Sequence, residues 1–295
     1  MSSRPVTAGV LGALVIAFSA ILVRLADVSP STAAVFRCLY ALPVLGLLAW
    51  RERGRFGPRS GRDRLVALAA GVMLAADLTF WNHSIAAVGA GLATVLGHFQ
   101  VVLVGVIAWV TLGERPEPRS LVAIPVGLLG MVMISGVIGS GAYGDDPLRG
   151  VIFGVLTALT FALFLIILRQ GNSDERRPAG PLFDATLTSF AFSALGGLAV
   201  GDLDWAPGPE AQAWLVVLAL SSQVLGWLLI SVSLPRLPAV LTSILLMVQP
   251  GATVLLGILL LSEAPSAVQL TGVVVVLASV AVATIKPRQP AATPA

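Results

Sequence analysis

Asp77, Trp81, Asn82 and His83, followed by His98 and Gln100, stand inside strongly apolar stretches of the chain. Ionisable groups deep in lipid are costly and mark functional positions by default. An Asp77–His98 pair facing a cavity can bind and release a proton, or hold a substrate ammonium. Asp77, Trp81 and Ser84 recur at i, i+4, i+7, so one helix face would present a carboxylate, an indole and a hydroxyl. The same polar groups also suit a structural pair pinning two helices together, since buried polar contacts in membrane bundles average below about 1 kcal/mol. Arg37 is the one basic residue well inside an apolar run. It can pair with Asp77, bind a substrate carboxylate, or extend to the membrane surface as arginine readily does. Gln223, Trp227, Ser231 and Gln249 supply comparable polar or aromatic groups in the second half.

Helices must position these groups. Runs of about 20 apolar residues suffice to cross a bilayer, and ten are legible: 6–23, 31–50, 65–86, 89–112, 119–139, 150–168, 182–201, 211–233, 237–261 and 267–285. The third and fourth form a hairpin around Val88-Gly89-Ala90-Gly91, and the eighth and ninth another. With the first turn centred between 87 and 88, Asp77 and His98 fall at equal depth, about 15 Å from the outer helix ends. The same rule sets Gln223 level with Gln249, while Gly226 and Met247 replace the titratable pair.

Composition agrees. The 295 residues are 57% hydrophobic and 11% charged, with a mean hydropathy of +0.93; soluble domains carry about 25% charged residues. The pI of 9.7 does not indicate nucleic acid, because the net charge is +3 and the arginines fill short gaps between apolar runs. With the N-terminus inside, fifteen of the eighteen basic residues fall inside and only Arg24 and Arg149 outside, which predicts two cytoplasmic termini. Cys38 is a lone cysteine, so neither a disulfide nor a cysteine-rich metal site is available. Residues 286–295 read as a disordered cytoplasmic tail.

The sequence also repeats itself. Gly9-Val10-Leu11-Gly12-Ala13-Leu14 returns as Gly154-Val155-Leu156-Thr157-Ala158-Leu159, with Arg24 falling on Arg169; Gln100, Glu114 and Pro116 fall on Gln249, Glu263 and Pro265. Two copies of five helices, 6–139 and 150–285, must insert with opposite topology, the signature of alternating-access carriers. Glu114 and Glu263 then end their helices at opposite faces, as helix terminators or gates. Asp184 starts the seventh helix, where a carboxylate suits the dipole. Trp50, Trp109 and Trp214 suit interface anchors, as does His83. Gly150 with Gly154 and Gly197 with Gly201 suit close helix packing. Gly139-Ser140-Gly141-Ala142-Tyr143-Gly144 spells GxGxxG without a preceding strand and reads as a linker. There is no P-loop, and no cofactor is implied.

Phe36-Arg37, Leu112-Gly113-Glu114, Leu261-Ser262-Glu263 and Gln249-Pro250 resemble the EamA family of the drug/metabolite transporter superfamily, over nearly all of residues 6–285. Val101 stands where Pro250 does in the second copy, so a matching kink in the fourth helix has no proline to cause it. The resemblance implies ATP-independent export of small metabolites, including amino acids, through a cavity lined by helices 1, 3, 4, 6, 8 and 9. The expectation is an all-α, ten-helix inner-membrane carrier. It would act as a monomer or homodimer among membrane lipids, on a small organic solute, with protons as a coupling ion. A polytopic enzyme acting on a lipid or isoprenoid is the alternative; it would need paired acidic motifs or metal ligands that the chain lacks.

Overall fold

A computed structural model describes residues 3–134, 146–172, 174–261 and 265–284, and the described backbone is helical without a strand. Helix α1 (Ser3–Ala26) leads to α2 (Pro30–Phe56), α3 (Gly61–His98), α4 (Gln100–Leu112) and α5 (Pro118–Ile134). After the segment 135–145 come α6 (Pro147–Gly171), α7 (Ala179–Val200) and a broken span. That span runs through α8 (Pro209–Leu218), a π-helix (Ala219–Gly226), α9 (Trp227–Ser233) and a 3-10 turn (Leu234–Arg236). The chain ends with α10 (Ala239–Leu246), α11 (Val248–Leu261) and α12 (Ala267–Thr284). Eight helices among the described residues are long and apolar enough to cross a membrane; Leu96–Leu112 and Pro118–Ile134 are shorter apolar helices. The expected linker at 139–144, Glu263 and the tail 286–295 lie outside the described residues.

The hairpin expected at 88–91 needs correcting in one respect: helical backbone continues through it to His98. Contacts nevertheless require the chain to reverse there. Ser84 Oγ donates to the Gly150 carbonyl at 2.9 Å, and Asp146 N–H donates to the Ala87 carbonyl at 3.4 Å. A straight helix would carry Gly97 about 20 Å beyond Ser84, past the start of α6. Instead a methyl group on Gly97 would stand 3.2 Å from Thr157 Cγ2, and one on Gly154 would stand 2.5 Å from Leu96 Cβ. Gly97 therefore lies about 10 Å back along α6, and the reversal falls between Ala87 and Leu96.

Both halves break the helix that follows their hairpin. Phe99 N–H donates to the Leu96 carbonyl and Met247 N–H to the Ile244 carbonyl, each three residues back. Pro250 explains the second break, because its ring opposes the carbonyl four residues earlier. The first break occurs without a proline, so the expectation drawn from Val101 was too narrow.

Small residues set the spacing within the bundle. A methyl on Gly71 would lie 2.1 Å from the Ala185 carbonyl, so α3 and α7 touch backbone to backbone. Gly12 and Gly226 bring α1 against the π-helix, and Gly130 and Gly272 bring α5 against α12. Gly154 and Gly197 also sit in close contacts, whereas Gly201 ends α7 in the left-handed region at φ 82°. Large aliphatic residues face outward, with Val110, Leu259 and Leu148 more than 70% exposed. Such an outward apolar surface suits lipid rather than water. Trp50 and Trp109 are exposed as interface anchors would be.

Candidate functional site

Asp77 is buried on the part of α3 that runs antiparallel to α6. It precedes Ser84 by seven residues, about 10 Å, which sets it level with Thr157 and hence with Gly97 and His98. Arg37 on α2 is close enough to interact electrostatically with Asp77. No ion pair within 4.0 Å joins them among the described residues. Arg37 Nε is buried without a hydrogen-bond partner, while the residue as a whole is half-buried. The two deep groups therefore interact across a gap instead of forming a locked bridge. A gapped pair is better suited to exchanging ligands than a bidentate pair would be.

The face expected to present Asp77, Trp81 and Ser84 together is only partly free. Ser84 is committed to the α6 backbone, whereas Trp81 is half-buried. The side chain of Asn82 lies outside the described residues. His83 is not simply interfacial: its ring stacks on Phe153 with centroids 5.1 Å apart. His98 is half-buried and interacts with neighbouring groups.

No hydrogen bond joins the glutamines to one another among the described residues. Gln100 is buried and donates to the Ser243 carbonyl of α10 at 3.5 Å, a long bond, with its own Oε1 unpartnered. Gln223 lies in the π-helix, donates to Thr186 Oγ1 of α7 at 3.1 Å, and also leaves Oε1 unpartnered. Gln249 is half-buried just after the Met247 break, where its carbonyl accepts from Thr253 Oγ1. Buried unpartnered carbonyl oxygens are uncommon and call for an explanation. A π-helical segment is likewise frequent at functional sites. Sequence patterning had no means of finding it, because apolar periodicity does not distinguish i→i+5 from i→i+4 bonding. Trp227 is edge-on to Phe164 at 4.9 Å and Phe161 at 6.3 Å, packed into the core instead of lining an open wall. Ser231 offers its carbonyl to Asn172 Nδ2.

One end of the bundle, the Glu114 face, is tied shut by polar contacts. Glu114 Oε1 takes Arg169 Nη1 of α6 at 2.5 Å, and Oε2 takes the Ala239 N–H that opens α10, at 3.0 Å. Asp184 is paired with Arg59 at 2.7 Å, with Arg64 Nε at 3.7 Å. Glu52 accepts from the Ala179 and Gly180 N–H groups at 2.9 and 2.8 Å, capping α7 from 127 residues away. Sequence reading found Asp184 and Glu114 but not these partners, which tertiary folding alone supplies. In the loop before α7, Arg176 and Arg177 hold the Asp174 carboxyl well below the usual carboxylate range. Arg177 also donates to the Gly57 carbonyl at 2.9 Å.

The opposite end, the Ser29 face, holds a cavity of about 210 Å³ between α2, α3 and α7. None of Asp77, Trp81, His98, Arg37, Gln100, Gln223, Trp227 or Gln249 lines it, so it is separate from the expected central path.

Comparison with known proteins fits this architecture. The chain is 27% identical over 269 residues to the uncharacterized transporter YxxF of Bacillus subtilis (strain 168), covering 87% of this chain and 82% of that one. A solved crystal structure superposes with a TM-score of 0.75, covering 96% of this chain and 97% of the other; at 17% identity that likeness concerns the fold alone. The EamA-like transporter family matches twice, over residues 4–136 and 148–285. With most of its length in those two matches, the chain belongs to the EamA-like transporter family, a multi-pass membrane transporter of small molecules and not an enzyme.

Proposed function

We propose that this transporter is a secondary carrier that exports small organic solutes across the cytoplasmic membrane by alternating access, exchanging protons at Asp77. Ten helices would cross the bilayer as two five-helix repeats of opposite orientation, with both termini cytoplasmic. The observation that carries the reading is the gapped pair of a buried carboxylate, Asp77 on α3, and a half-buried arginine, Arg37 on α2. A carboxylate that faces a guanidinium without bonding to it can take up a proton when the arginine is drawn to a substrate carboxylate, and release it afterwards. Trp81, His98, Gln100, Gln223 and Gln249 would line the path, Gln100 and Gln223 through their unpartnered side-chain oxygens, with Trp227 backing it from the core.

Orientation rests on charge. Arg53, Arg55, Arg59, Arg62, Arg64, Arg115, Arg119, Arg169, Arg176, Arg177 and Arg236 lie on helix ends and loops of the Glu114 face, which the positive-inside rule assigns to the cytoplasm. The Glu114–Arg169 contact then closes the cytoplasmic side. Glu114, just past α4 in the first matched segment, is thereby tied to Arg169 of α6 and to the Ala239 N–H of α10 in the second, and rocking of one half against the other must break these contacts.

Purified protein in liposomes, given a counterflow panel of amino acids, nucleosides and sugars, tests this reading. Accumulation of one class that responds to an imposed pH gradient is expected. Flux indifferent to the gradient would remove proton coupling, and solute flux absent from the whole panel would remove the solute class.

A further inference from the structure

The cavity at the Ser29 face is lined by Pro30, Ser31 and Ala34 of α2, Thr79 and His83 of α3, Ser193, Gly196 and Val200 of α7, and Asp202. Its shape follows from the fold. α7 packs closely on both α2 and α3, while α2 and α3 barely touch, leaving a cleft floored by α7. Ser193, Gly196 and Val200 recur at i, i+3, i+7, so one stripe of α7 forms that floor. Gly201 reverses the chain in the left-handed conformation, and Ser29 Oγ then holds the Asp202 carbonyl at 2.5 Å. Asp204 N–H donates to Thr32 Oγ1 at 2.9 Å, fixing the same loop. Asp202 is thus anchored through its backbone, which leaves its carboxylate unengaged by that anchorage.

Two polar atoms in this lining are buried without a partner: Asp202 Oδ1 and Ser193 Oγ, the latter on a residue 95% buried. Asp202 is half-buried as a residue, but the oxygen it turns into the cavity is cut off from solvent, which is costly to leave unmatched, and a cation is the partner that offsets it most. No Lys or Arg lines the cavity, and its one basic side chain, His83, has its ring stacked on Phe153 at 5.1 Å. Arg149 is engaged over the Phe153 ring at 5.7 Å, and Arg37, about one turn beyond the lining residue Ala34 on α2, is not part of the lining. Pockets for drug-sized ligands occupy about 300–1,000 Å³. At about 210 Å³ this one is sized for a head group and a short apolar stem.

We propose that this cavity is a binding site for an alkylammonium group, with Asp202 as counter-ion and Ser193 Oγ as a hydrogen-bond acceptor beneath it. The ammonium comes from a free organic amine or from an aminolipid head group in the adjoining leaflet. The site is independent of the Asp77 reading, because it shares no lining residue with it and binding there requires no transport.

The test is equilibrium binding of benzylamine to the purified full-length protein in phosphatidylcholine nanodiscs, with benzyl alcohol and benzoate as neutral and anionic analogues. Saturable binding of benzylamine alone is expected. Asp202→Asn should weaken it at least tenfold and Ser193→Ala a few-fold, while Asp204→Asn, whose carboxylate already accepts from Ala206 N–H, should leave it unchanged. Equal binding of benzyl alcohol, or unchanged affinity in both Asp202→Asn and Ser193→Ala, overturns the proposal. Repeating the titration with phosphatidylethanolamine in the nanodisc separates the two sources. Competition lost in Asp202→Asn supports the aminolipid, and affinity indifferent to lipid supports the free amine. A site that fails here while Asp77→Asn still alters transport would leave the proposed function intact.

Discussion

Removing the charge from Glu114 is the sharpest test of the cytoplasmic closure. Glu114→Gln keeps an oxygen for the Ala239 N–H but loses the carboxylate that meets Arg169 at 2.5 Å. The Arg169 and Glu114 side chains are 17% and 27% exposed, between a surface pair and a buried one. Exposed pairs contribute about 0.2–1 kcal/mol, while hydrogen bonds to charged groups contribute about 1.5–3 kcal/mol. The closed state should therefore lose about 1–2 kcal/mol, which opens the Glu114 face about 5–30-fold more often. Arg169→Gln should do at least as much, because it leaves the half-buried carboxylate without its cation. A reporter cysteine, Ser231→Cys on a Cys38→Ser background, begins buried beside Asn172. Maleimide labelling of that cysteine in oriented liposomes measures the opening. The double variant should show non-additivity, since the two groups act through one contact. Labelling within twofold of the parent in both single variants would refute the closure argument.

Four further outcomes are expected. Asp77→Asn should abolish pH-gradient-driven flux with the fold retained by circular dichroism, and unchanged pH dependence would remove Asp77 from coupling. Arg37→Gln should raise the apparent KM for carboxylate-bearing substrates about tenfold or more while sparing neutral ones, read in competition flux assays; equal affinity would return Arg37 to a surface-seeking role. Gly71→Ala places a methyl 2.1 Å from the Ala185 carbonyl, so α3 and α7 must separate at a cost of about 1–3 kcal/mol. A lowered thermal midpoint in detergent checks it, and no shift would contradict the packing. Because Arg176 and Arg177 depress the Asp174 pKa, the stability from that clamp is present above the unfolded value of about 3.9 and is lost as pH falls through the folded one. Proteolysis of the loop before α7 should stay slow from neutral pH down to about 4 and quicken below.

The amino-acid sequence determined the features that depend on local composition. Long apolar runs can only be lipid-facing helices, because backbone polar groups in hydrocarbon must bond within their own segment. The duplicated Gly9–Leu14 and Gly154–Leu159 stretches disclosed the repeat, and Asp77 and Arg37 stood out because charge in such runs is rare. Tertiary structure decided what depends on residues far apart. Nothing near Glu52 in sequence announces that it caps α7, and Asp184 becomes paired only when the loop before α3 delivers Arg59 to it. The Phe99 break has no proline to announce it, and the π-helix holding Gln223 has the same residue pattern as an α-helix. The Ser29-face cavity arises because α7 sits between α2 and α3 and keeps them apart, so Asp202 and Ser193, ordinary in sequence, become neighbours around a shared space. Helix propensity and hydropathy act over a few turns; which faces meet, and which polar atoms remain unmatched, is settled by packing across the whole bundle.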